Sequence, residues 1–213
     1  MSPTLSHPLF ARIYVRLRPT MDSQGVTEHR RQLLEGLTGR VVEVGAGDGG
    51  NFPFYPAGVT GVVAIEPDPY LRAKATQAAA EASADIKVVE GLASELPVDA
   101  GTVDAVVMCL VLCSVEDQGA ALDEAFRVLR PGGELRFYEH VAAQTGTRLA
   151  RVQRIADATL WPRLMGGCHL GRDTVSAIGA AGFLIDELER FAFPPDKPSP
   201  ASPHAMGRAT RPA

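Results

Sequence analysis

The residues best suited to chemistry are a cluster of glycines and the two glutamates on either side of it. Gly45, Gly47 and Gly49 follow an apolar run, with Glu43 before them and Glu66 after them. Glycine leaves no side chain in the way, so the backbone can approach a ligand closely. A helix that starts at Asp48 would also point its N-terminal amides at that ligand. The cluster therefore predicts a nucleotide-type binding site.

Two classes of ligand are compatible with this glycine spacing. Gly45, Gly47 and Gly50 satisfy the dinucleotide fingerprint, and Glu66 would bind ribose hydroxyls in either class. Glu43 separates the two classes, because a carboxylate at the end of the strand would repel a pyrophosphate and attract an ammonium and a sulfonium. The sequence therefore favours a cationic ligand. A role for Glu43 in hydrogen bonding within the loop is the alternative.

The composition bounds the class of protein. The chain has 213 residues, of which 46% are hydrophobic and 22% charged, as in a soluble globular protein of one domain. The net charge of −4 argues against a dedicated nucleic-acid binder. We expect no signal peptide and no membrane anchor, and hence a cytoplasmic protein. The excess of arginine over lysine and the abundance of alanine, glycine and proline hint at a bacterial source.

The cysteines are expected to be reduced thiols. Cys109, Cys113 and Cys168 are odd in number, and their spacing matches no usual disulfide frame. His140 and His169 add ligand-type side chains, but no combination has the spacing of a usual metal motif, so we predict no metal. Small core residues are the plainer interpretation of Cys109 and Cys113.

Alternating apolar runs and helical segments predict an open α/β sheet with right-handed crossovers. Asp68 is expected to cap the helix that follows the second strand. The last two strands, joined by a proline-rich segment, would form an antiparallel hairpin at the sheet edge. The predicted strands are 41–44, 59–65, 86–89, 103–112, 134–141, 183–193 and 204–211.

Five short motifs carry a resemblance to a known family. In order they are E-V-G-A-G-D-G, I-E-P-D, G-L-A-S-E-L-P, D-A-V-V-M-C-L-V-L-C-S-V and V-L-R-P-G-G. Together, over residues 41–133, they resemble the class I S-adenosylmethionine-dependent methyltransferases. The resemblance implies S-adenosylmethionine as cofactor. It also implies a Rossmann-like seven-stranded, mostly parallel sheet, with helices on both faces and an antiparallel terminal hairpin.

A narrower resemblance extends into the C-terminal part of the chain. L-V-L-C-S-V at 110–115, E-H-V-A-A at 139–143 and the pattern Trp161…Gly167-Cys168…Arg172 are similar to the alkyl-thiol methyltransferases of animals. This resemblance implies a small-molecule thiol as the favoured methyl acceptor. Those animal proteins carry an apolar N-terminal anchor, and related bacterial enzymes have varied acceptors. Methyl transfer to O, N or C of a quinone, a phenol or another natural-product intermediate therefore stays open.

The resemblance also implies which residues contact the cofactor. The glycine cluster would pass under the methionine and ribose, Glu43 would approach the amino group, and Glu66 would bind both ribose hydroxyls. Many relatives carry an aspartate where Leu92 stands, so the contact to the adenine amino group falls to the Ala93 backbone or to Ser94. The implied set is Glu43, Gly45, Ala46, Gly47, Gly49, Asn51, Glu66, Pro67, Leu92, Ala93, Cys109 and Leu110.

The implied reaction is an in-line attack on a sulfonium methyl, so placement of the acceptor supplies much of the acceleration. A thiol must also lose a proton, which a pKa of about 8.5 makes easy near neutral pH. His140 is the candidate general base or orienting group, with a structural histidine as the alternative. Cys113 and Ser114 stand where relatives place substrate-facing groups. Candidates for the acceptor pocket, with core packing or loop anchoring as the alternative, are Tyr14, Trp161, Cys168 and His169.

We expect residues 1–213 to form a single domain in three parts. Residues 1–38 would form helices over the cofactor and acceptor site, 39–141 the cofactor-binding core, and 142–213 the acceptor-side helices and terminal hairpin. Two other functions remain open, an NAD(P)-dependent oxidoreductase and a catalytically silent binding module. The intact glycines and Glu66 argue against the silent module.

Overall fold

The computed structural model describes residues 8–196 and 199–213 as one sheet with helices packed on it. Residues 1–7 of the predicted N-terminal part lie outside the described residues. The strands are β1 (Gly39–Val44), β2 (Val59–Ile65), β3 (Ile86–Val89), β4 (Val103–Cys109), β5 (Leu129–His140), β6 (Leu184–Ala192) and β7 (Pro203–Thr210). The helices are α1 (Pro8–Met21), α2 (Thr27–Leu34), α3 (Pro69–Glu81), α4 (Gln118–Val128), α5 (Arg148–Asp157), α6 (Trp161–Leu164) and α7 (Thr174–Ala180). None of these helices combines the length and the apolar character that crossing a membrane requires.

The described strands lie in the order β3-β2-β1-β4-β5-β7-β6. The first five pair in parallel, and β7 is antiparallel to both β5 and β6. This arrangement confirms the predicted seven-stranded, mostly parallel sheet with an antiparallel terminal hairpin. The chain order reverses between β1 and β4. Open α/β sheets bind ligands beyond the carboxyl ends of the strands at such a point, so the site is expected there.

Both faces of the central strands are buried. Val42 and Val106 belong to the same core cluster as Leu122 of α4. On the opposite face, Val41 belongs to a second cluster with Leu33 of α2. Neighbouring residues of a strand point to opposite faces, so a continuous apolar run is what a strand covered by helices on both sides requires. The predicted helices on both faces are thereby confirmed.

The ends of two elements shape the carboxyl edge of the sheet. Asp68 caps α3 as predicted, because its carboxylate accepts hydrogen bonds from the amides of Tyr70 and Leu71. β4 ends at Cys109, before the predicted end of this strand, because Leu110 adopts a left-handed φ of 57° and turns the chain. This turn directs the following loop over the carboxyl end of the sheet.

Candidate active site

A cavity of about 750 Å³ opens at the carboxyl ends of the parallel strands, at the point where the strand order reverses. Its size is in the range typical of small-molecule sites. Most of the residues predicted to contact a cofactor line it. Its walls include Tyr14 of α1, Gly45 and Gly47 after β1, Glu66 and Pro67 after β2, Leu92 and Ala93 after β3, Cys109 at the end of β4, and Leu110 and Ser114 after it.

The loop after β1 requires glycine at two positions for steric reasons. Gly45 has a φ of 67°, and a side chain there would collide with Val111. Gly49 has a φ of 84°, and a Cβ atom would lie 2.8 Å from Phe52 and from Ala78. A backbone hydrogen bond of 2.8 Å, from the amide of Gly45 to the carbonyl of Ile65, ties this loop to the end of β2. The loop therefore lies close against its neighbours. Gly45 and Gly47 present backbone atoms without side chains to the cavity.

Glu66 places a carboxylate in the wall of the cavity. Its Oε2 accepts a hydrogen bond from the Gly47 amide at 2.8 Å, and its Oε1 accepts one from the Asp68 amide at 2.9 Å. Burial raises the pKa of Glu66 to about 7, although these two hydrogen bonds oppose the shift. A carboxylate has about four acceptor positions. Each oxygen thus retains capacity to accept a hydroxyl group from a bound ligand.

Glu43 lies beneath the glycine loop and is 2% exposed. Its carboxylate accepts hydrogen bonds from Nδ2 of Asn51 at 2.9 Å and from the hydroxyl of Tyr55 at 2.6 Å. Burial raises the pKa of Glu43 to about 7, against the effect of those two donors and of the Arg30 charge. The alternative interpretation, hydrogen bonding within the loop, therefore describes the contacts of Glu43. Its approach to a ligand amino group stays a prediction.

Arg30 of α2 is a buried cation that the sequence interpretation missed. It is 4% exposed, donates to Oδ1 of Asn51 at 2.7 Å and lies 3.9 Å from Sγ of Cys109. Ion pairing and hydrogen bonding with its neighbours, Tyr14 included, raise the pKa of Arg30 despite its burial. The signal was present in the sequence, because Arg30 stands on the same helical face as the buried Leu33 and Leu34.

Glu139 is a second buried residue that was missed, and it fixes the loop after β4. Its side chain is fully buried and accepts hydrogen bonds from the amides of Val111 and Leu112 at 2.9 Å and of Cys113 at 3.2 Å. Burial raises its pKa above the usual range, while the three amide donors act in the opposite direction. An acidic residue within the otherwise buried end of β5 was the available signal.

The three residues predicted to be catalytic lie together, but only one of them reaches the cavity. Nδ1 of His140 lies 3.6 Å from Sγ of Cys113, which lies 3.5 Å from Oγ of Ser114. Ser114 lines the cavity, whereas His140 and Cys113 lie behind it. Burial lowers the pKa of His140, but the interactions with Cys113 outweigh this effect and raise it. The roles predicted for these residues stay predictions.

The residues predicted for the acceptor pocket are divided. Tyr14 lines the cavity, and burial raises its pKa to about 12. Cys168 is buried, and its Sγ lies 3.8 Å from Nδ1 of His140. Trp161 packs against the small apolar cluster that contains Cys168, and neither Trp161 nor His169 lines the cavity. The contacts of Trp161 and Cys168 match the core-packing alternative, and the amide of His169, which donates to the carbonyl of Cys113 at 2.7 Å, matches loop anchoring; the predicted acceptor roles stay predictions.

Arg172 was not predicted as a site residue, although it brings a positive charge to the cavity wall. Its Nη1 donates to the carbonyl of Leu112 at 2.7 Å, which holds the guanidinium beside the loop that carries Ser114. Gly166, from the loop between α6 and α7, closes the same wall where it packs against Phe10. The cavity wall near Ser114 therefore combines apolar residues and the cation of Arg172 with two acidic residues, Glu116 and Asp117.

Taken together, the cavity fits a nucleoside that carries a charged tail. The Glu66 carboxylate is placed to accept sugar hydroxyls, and Ile65, Leu71 and Leu92 supply apolar walls for a base. Behind the cavity wall at Cys109 lies the buried guanidinium of Arg30, which is connected through Asn51 to the buried carboxylate of Glu43; neither side chain lines the cavity itself. An amino-acid tail has the matching ammonium and carboxylate groups. S-adenosylmethionine has these parts, so the residues present fit it.

A family model described as a methyltransferase domain matches residues 42–137, the segment from β1 to β5. Two mammalian relatives extend the similarity further. The chain is 37% identical over 183 residues to thiol S-methyltransferase TMT1B of Rattus norvegicus. This alignment covers 84% of this chain and 74% of the rat protein. It is 38% identical over 168 residues to human thiol S-methyltransferase TMT1A, over 76% of this chain and 68% of that protein. These relatives lend no support to a bacterial source.

Solved structures with the same fold include proteins of different function. Geranyl diphosphate methyltransferase in complex with SAM superposes with a TM-score of 0.67 at 14% identity, over 88% of this chain and 85% of that chain. The [4+2]-cyclase SpnF gives 0.69 at 19% identity, over 90% and 81%. The YcgJ protein of Bacillus subtilis gives 0.63 at 15% identity, over 90% and 99%. At these identities the similarity establishes the fold alone.

Proposed function

Because the chain belongs to the class I S-adenosylmethionine-dependent methyltransferases, in the group of the thiol S-methyltransferases, we propose that it methylates the sulfur of a small-molecule thiol. The observation that carries this proposal is the 37% identity to TMT1B over 84% of the chain. A span of that length includes the cofactor-binding core and part of the acceptor-side segment that follows it. The predicted cytoplasmic location stays a prediction.

Glu66 binds the two ribose hydroxyls of the cofactor in this proposal. Support comes from its place in the cavity wall and from the hydrogen bonds that it accepts from the amides of Gly47 and Asp68. The bare glycine loop, with Ala46 and Gly49, lies below the ribose and methionine. Pro67 and Leu92 flank the adenine. Since Leu92 cannot accept a hydrogen bond through its side chain, the Ala93 backbone or Ser94 holds the adenine amino group.

The methionine end lies between buried groups of opposite charge. Glu43 attracts the ammonium through the network that it forms with Asn51, and Arg30 attracts the carboxylate. The support is the hydrogen bond from Arg30 to Asn51 at 2.7 Å and the 3.9 Å approach of Arg30 to Cys109 in the cavity wall. Tyr14, which packs 3.5 Å from the Cβ position of Gly47, covers this end. The backbone of Leu110 completes it.

Bound S-adenosylmethionine supplies a methyl group on a sulfonium, a good leaving group. The protein contributes by placing the acceptor sulfur in line with that methyl and by excluding water. Arg172 and Ser114 face the acceptor in this proposal. The positive charge of Arg172 favours the thiolate form of the acceptor over the thiol, since a nearby opposite charge lowers a pKa. The released proton passes to solvent.

A panel of acceptors tests this proposal. The purified protein is incubated with S-adenosylmethionine and, separately, with an alkyl thiol, a phenol and a quinol, and products are identified by mass spectrometry. We expect thioethers from the thiols, and loss of that product in Glu66→Ala. Methylation of the phenol or quinol without any thioether would overturn the thiol acceptor and leave the methyltransferase standing. Tight calorimetric binding of NADPH instead of S-adenosylhomocysteine would overturn both.

A further inference from the structure

Three side chains of metal-ligand type converge behind the acceptor wall from separate parts of the fold. Cys113 comes from the loop after β4, His140 ends β5, and Cys168 comes from the loop after α6. Their ligand atoms, two sulfurs and one imidazole nitrogen, all lie within 4.8 Å of one another. Nδ1 of His140 lies 3.6 Å from the Cys113 sulfur and 3.8 Å from the Cys168 sulfur.

The two nitrogen–sulfur separations match the edges of a tetrahedral coordination shell. Zinc lies about 2.3 Å from a thiolate sulfur and about 2.0–2.1 Å from an imidazole nitrogen. Tetrahedral angles then place sulfur and nitrogen about 3.6 Å apart. We propose that Cys113, His140 and Cys168 bind a Zn²⁺ ion. The absence of a usual sequence motif carries no weight against this site, because the ligands come from three separate elements.

The surroundings of the three ligands suit a thiophilic ion. Cys113 is 1% exposed and Cys168 is 6% exposed, and both pack with Leu170 in a small apolar cluster. The two carboxylates beside them are already engaged with backbone amides, Glu139 as described above and Asp157 with the amides of Leu170 and Gly171 at 2.7 and 2.8 Å. Two sulfurs and one nitrogen without oxygen ligands select Zn²⁺ over Mg²⁺ or Ca²⁺.

The loop that supplies Cys168 is held in position for binding. The amide of His169 donates to the carbonyl of Cys113 at 2.7 Å, which brings the two cysteine segments together. Asp157 braces the next two residues of the same loop. Because Gly166 and Arg172 belong to this segment and line the cavity, an ion at this site would fasten the acceptor wall to β4 and β5.

Binding is a simple exchange of protons for the metal. The ion forms bonds to the two sulfurs and to Nδ1 of His140, and the thiols of Cys113 and Cys168 release their protons to solvent. No oxidant or reductant is required. Three protein ligands leave one position of the tetrahedron for a water molecule. Ser114, whose Oγ lies 3.5 Å from the Cys113 sulfur, connects the cluster to the cavity.

Metal titration of the full chain tests the site directly. The reduced, chelator-treated protein is titrated with Zn²⁺ against a chromophoric chelator, and with Co²⁺ as a spectroscopic probe. We expect one equivalent per chain and, with Co²⁺, thiolate charge-transfer bands and the intense visible bands of tetrahedral coordination. Cys113→Ser and Cys168→Ser should each weaken binding more than about 100-fold, since loss of a second-shell partner alone costs 10–100-fold. Cys109→Ser, which removes the third cysteine of the chain, should bind normally.

A second measurement on the unaltered protein covers the case in which these variants do not fold. Zn²⁺ should slow the alkylation of Cys113 and Cys168, followed by peptide mass spectrometry, and leave Cys109 unprotected. The site would be overturned by a lack of saturable binding, by full binding in Cys168→Ser, or by a Cys113–Cys168 disulfide in protein isolated from reducing cells. None of these readouts involves methyl transfer, so the failure of this proposal and the failure of the proposed function are distinguishable.

Discussion

The carboxylate of Glu66 and the backbone amide of Gly47, two residues of the cavity wall, are joined by a hydrogen bond of 2.8 Å. Through this bond the loop after β2 holds the loop after β1. The second carboxylate oxygen is held by the Asp68 amide at the start of α3. The residue assigned to the ribose is therefore fixed before a ligand arrives, which lowers the conformational entropy lost on binding.

Glu66→Ala should abolish tight cofactor binding. Hydrogen bonds to a charged group contribute about 1.5–3 kcal/mol each, so the loss of two predicts at least about 100-fold weaker binding of S-adenosylhomocysteine. Isothermal titration calorimetry measures this change. Glu81→Ala, which removes an exposed carboxylate from α3, is the matched control and should bind as the unaltered protein does. Equal affinities in the two variants would remove Glu66 from the cofactor site.

Glu43 should make the stability of the ligand-free protein depend on pH. Its pKa in the folded chain is about 7, above the ordinary value of 4.5, so the folded state holds a proton that the unfolded state has lost. The free energy of unfolding should therefore fall as the pH rises from 4.5 to 7, with an upper limit of about 3 kcal/mol from this carboxyl. Urea denaturation across this range should show a smaller fall in Glu43→Gln. An unchanged profile would mean that Glu43 is ionised throughout.

Gly45→Ala should lower the free energy of unfolding by more than the backbone strain alone accounts for. Gly132 is the matched control, because its φ of 74° is close to the 67° of Gly45 and no described atom lies within 4 Å of its Cβ position. Both substitutions carry a left-handed penalty of about 1–2 kcal/mol. Only Gly45→Ala also collides with Val111, so it should lose further stability and bind S-adenosylhomocysteine poorly. Equal urea midpoints and affinities would count against a close fit of this loop.

The parts of the site that the sequence predicts are those formed by neighbours in the chain. The glycine loop and the acidic end of β2 belong to local patterns, and Gly45 and Glu66 line the cavity as expected. Arg30 and Glu139 were not predicted, because the partners of each residue lie far away in the sequence. The packing of α2 brings Arg30 to Asn51, and the position of β5 brings Glu139 to the amide of Leu112. The same limit applies to Cys113, His140 and Cys168. Their spacing in the sequence does not predict a metal site, because the three residues come from separate parts of the fold.

The end of β4 shows the same limit at the level of one residue. The apolar run predicted a strand through Leu112, but the chain turns at Leu110, whose φ is 57°. No local signal marks this turn, since Leu110 is neither glycine nor asparagine. The amide contacts that hold the turned segment come from Glu139 on the neighbouring strand. Tertiary structure thus overrides the local preference.

Glu139→Gln should destabilise the fold and misplace the acceptor wall. The NH₂ group of glutamine would face at least one backbone N–H that now donates a hydrogen bond to the carboxylate. That N–H would be left as a buried, unpaired donor, at a cost of about 1–3 kcal/mol. Urea denaturation should show this loss, and the turnover number should fall more than the affinity for S-adenosylhomocysteine. Glu35→Gln, on the exposed end of α2, controls for the chemical change. Unaltered stability would show that Glu139 is dispensable for the loop.

The central claim is that the methyl group goes to sulfur, and an acceptor that carries both a thiol and a phenolic hydroxyl tests it most directly. Both nucleophiles then share one molecule, one uptake step and one binding site, so only the choice of atom differs. We predict that incubation with S-adenosylmethionine yields the S-methyl thioether as the product detected by mass spectrometry, with the hydroxyl unmodified. An O-methyl ether with the thiol left free would contradict the account.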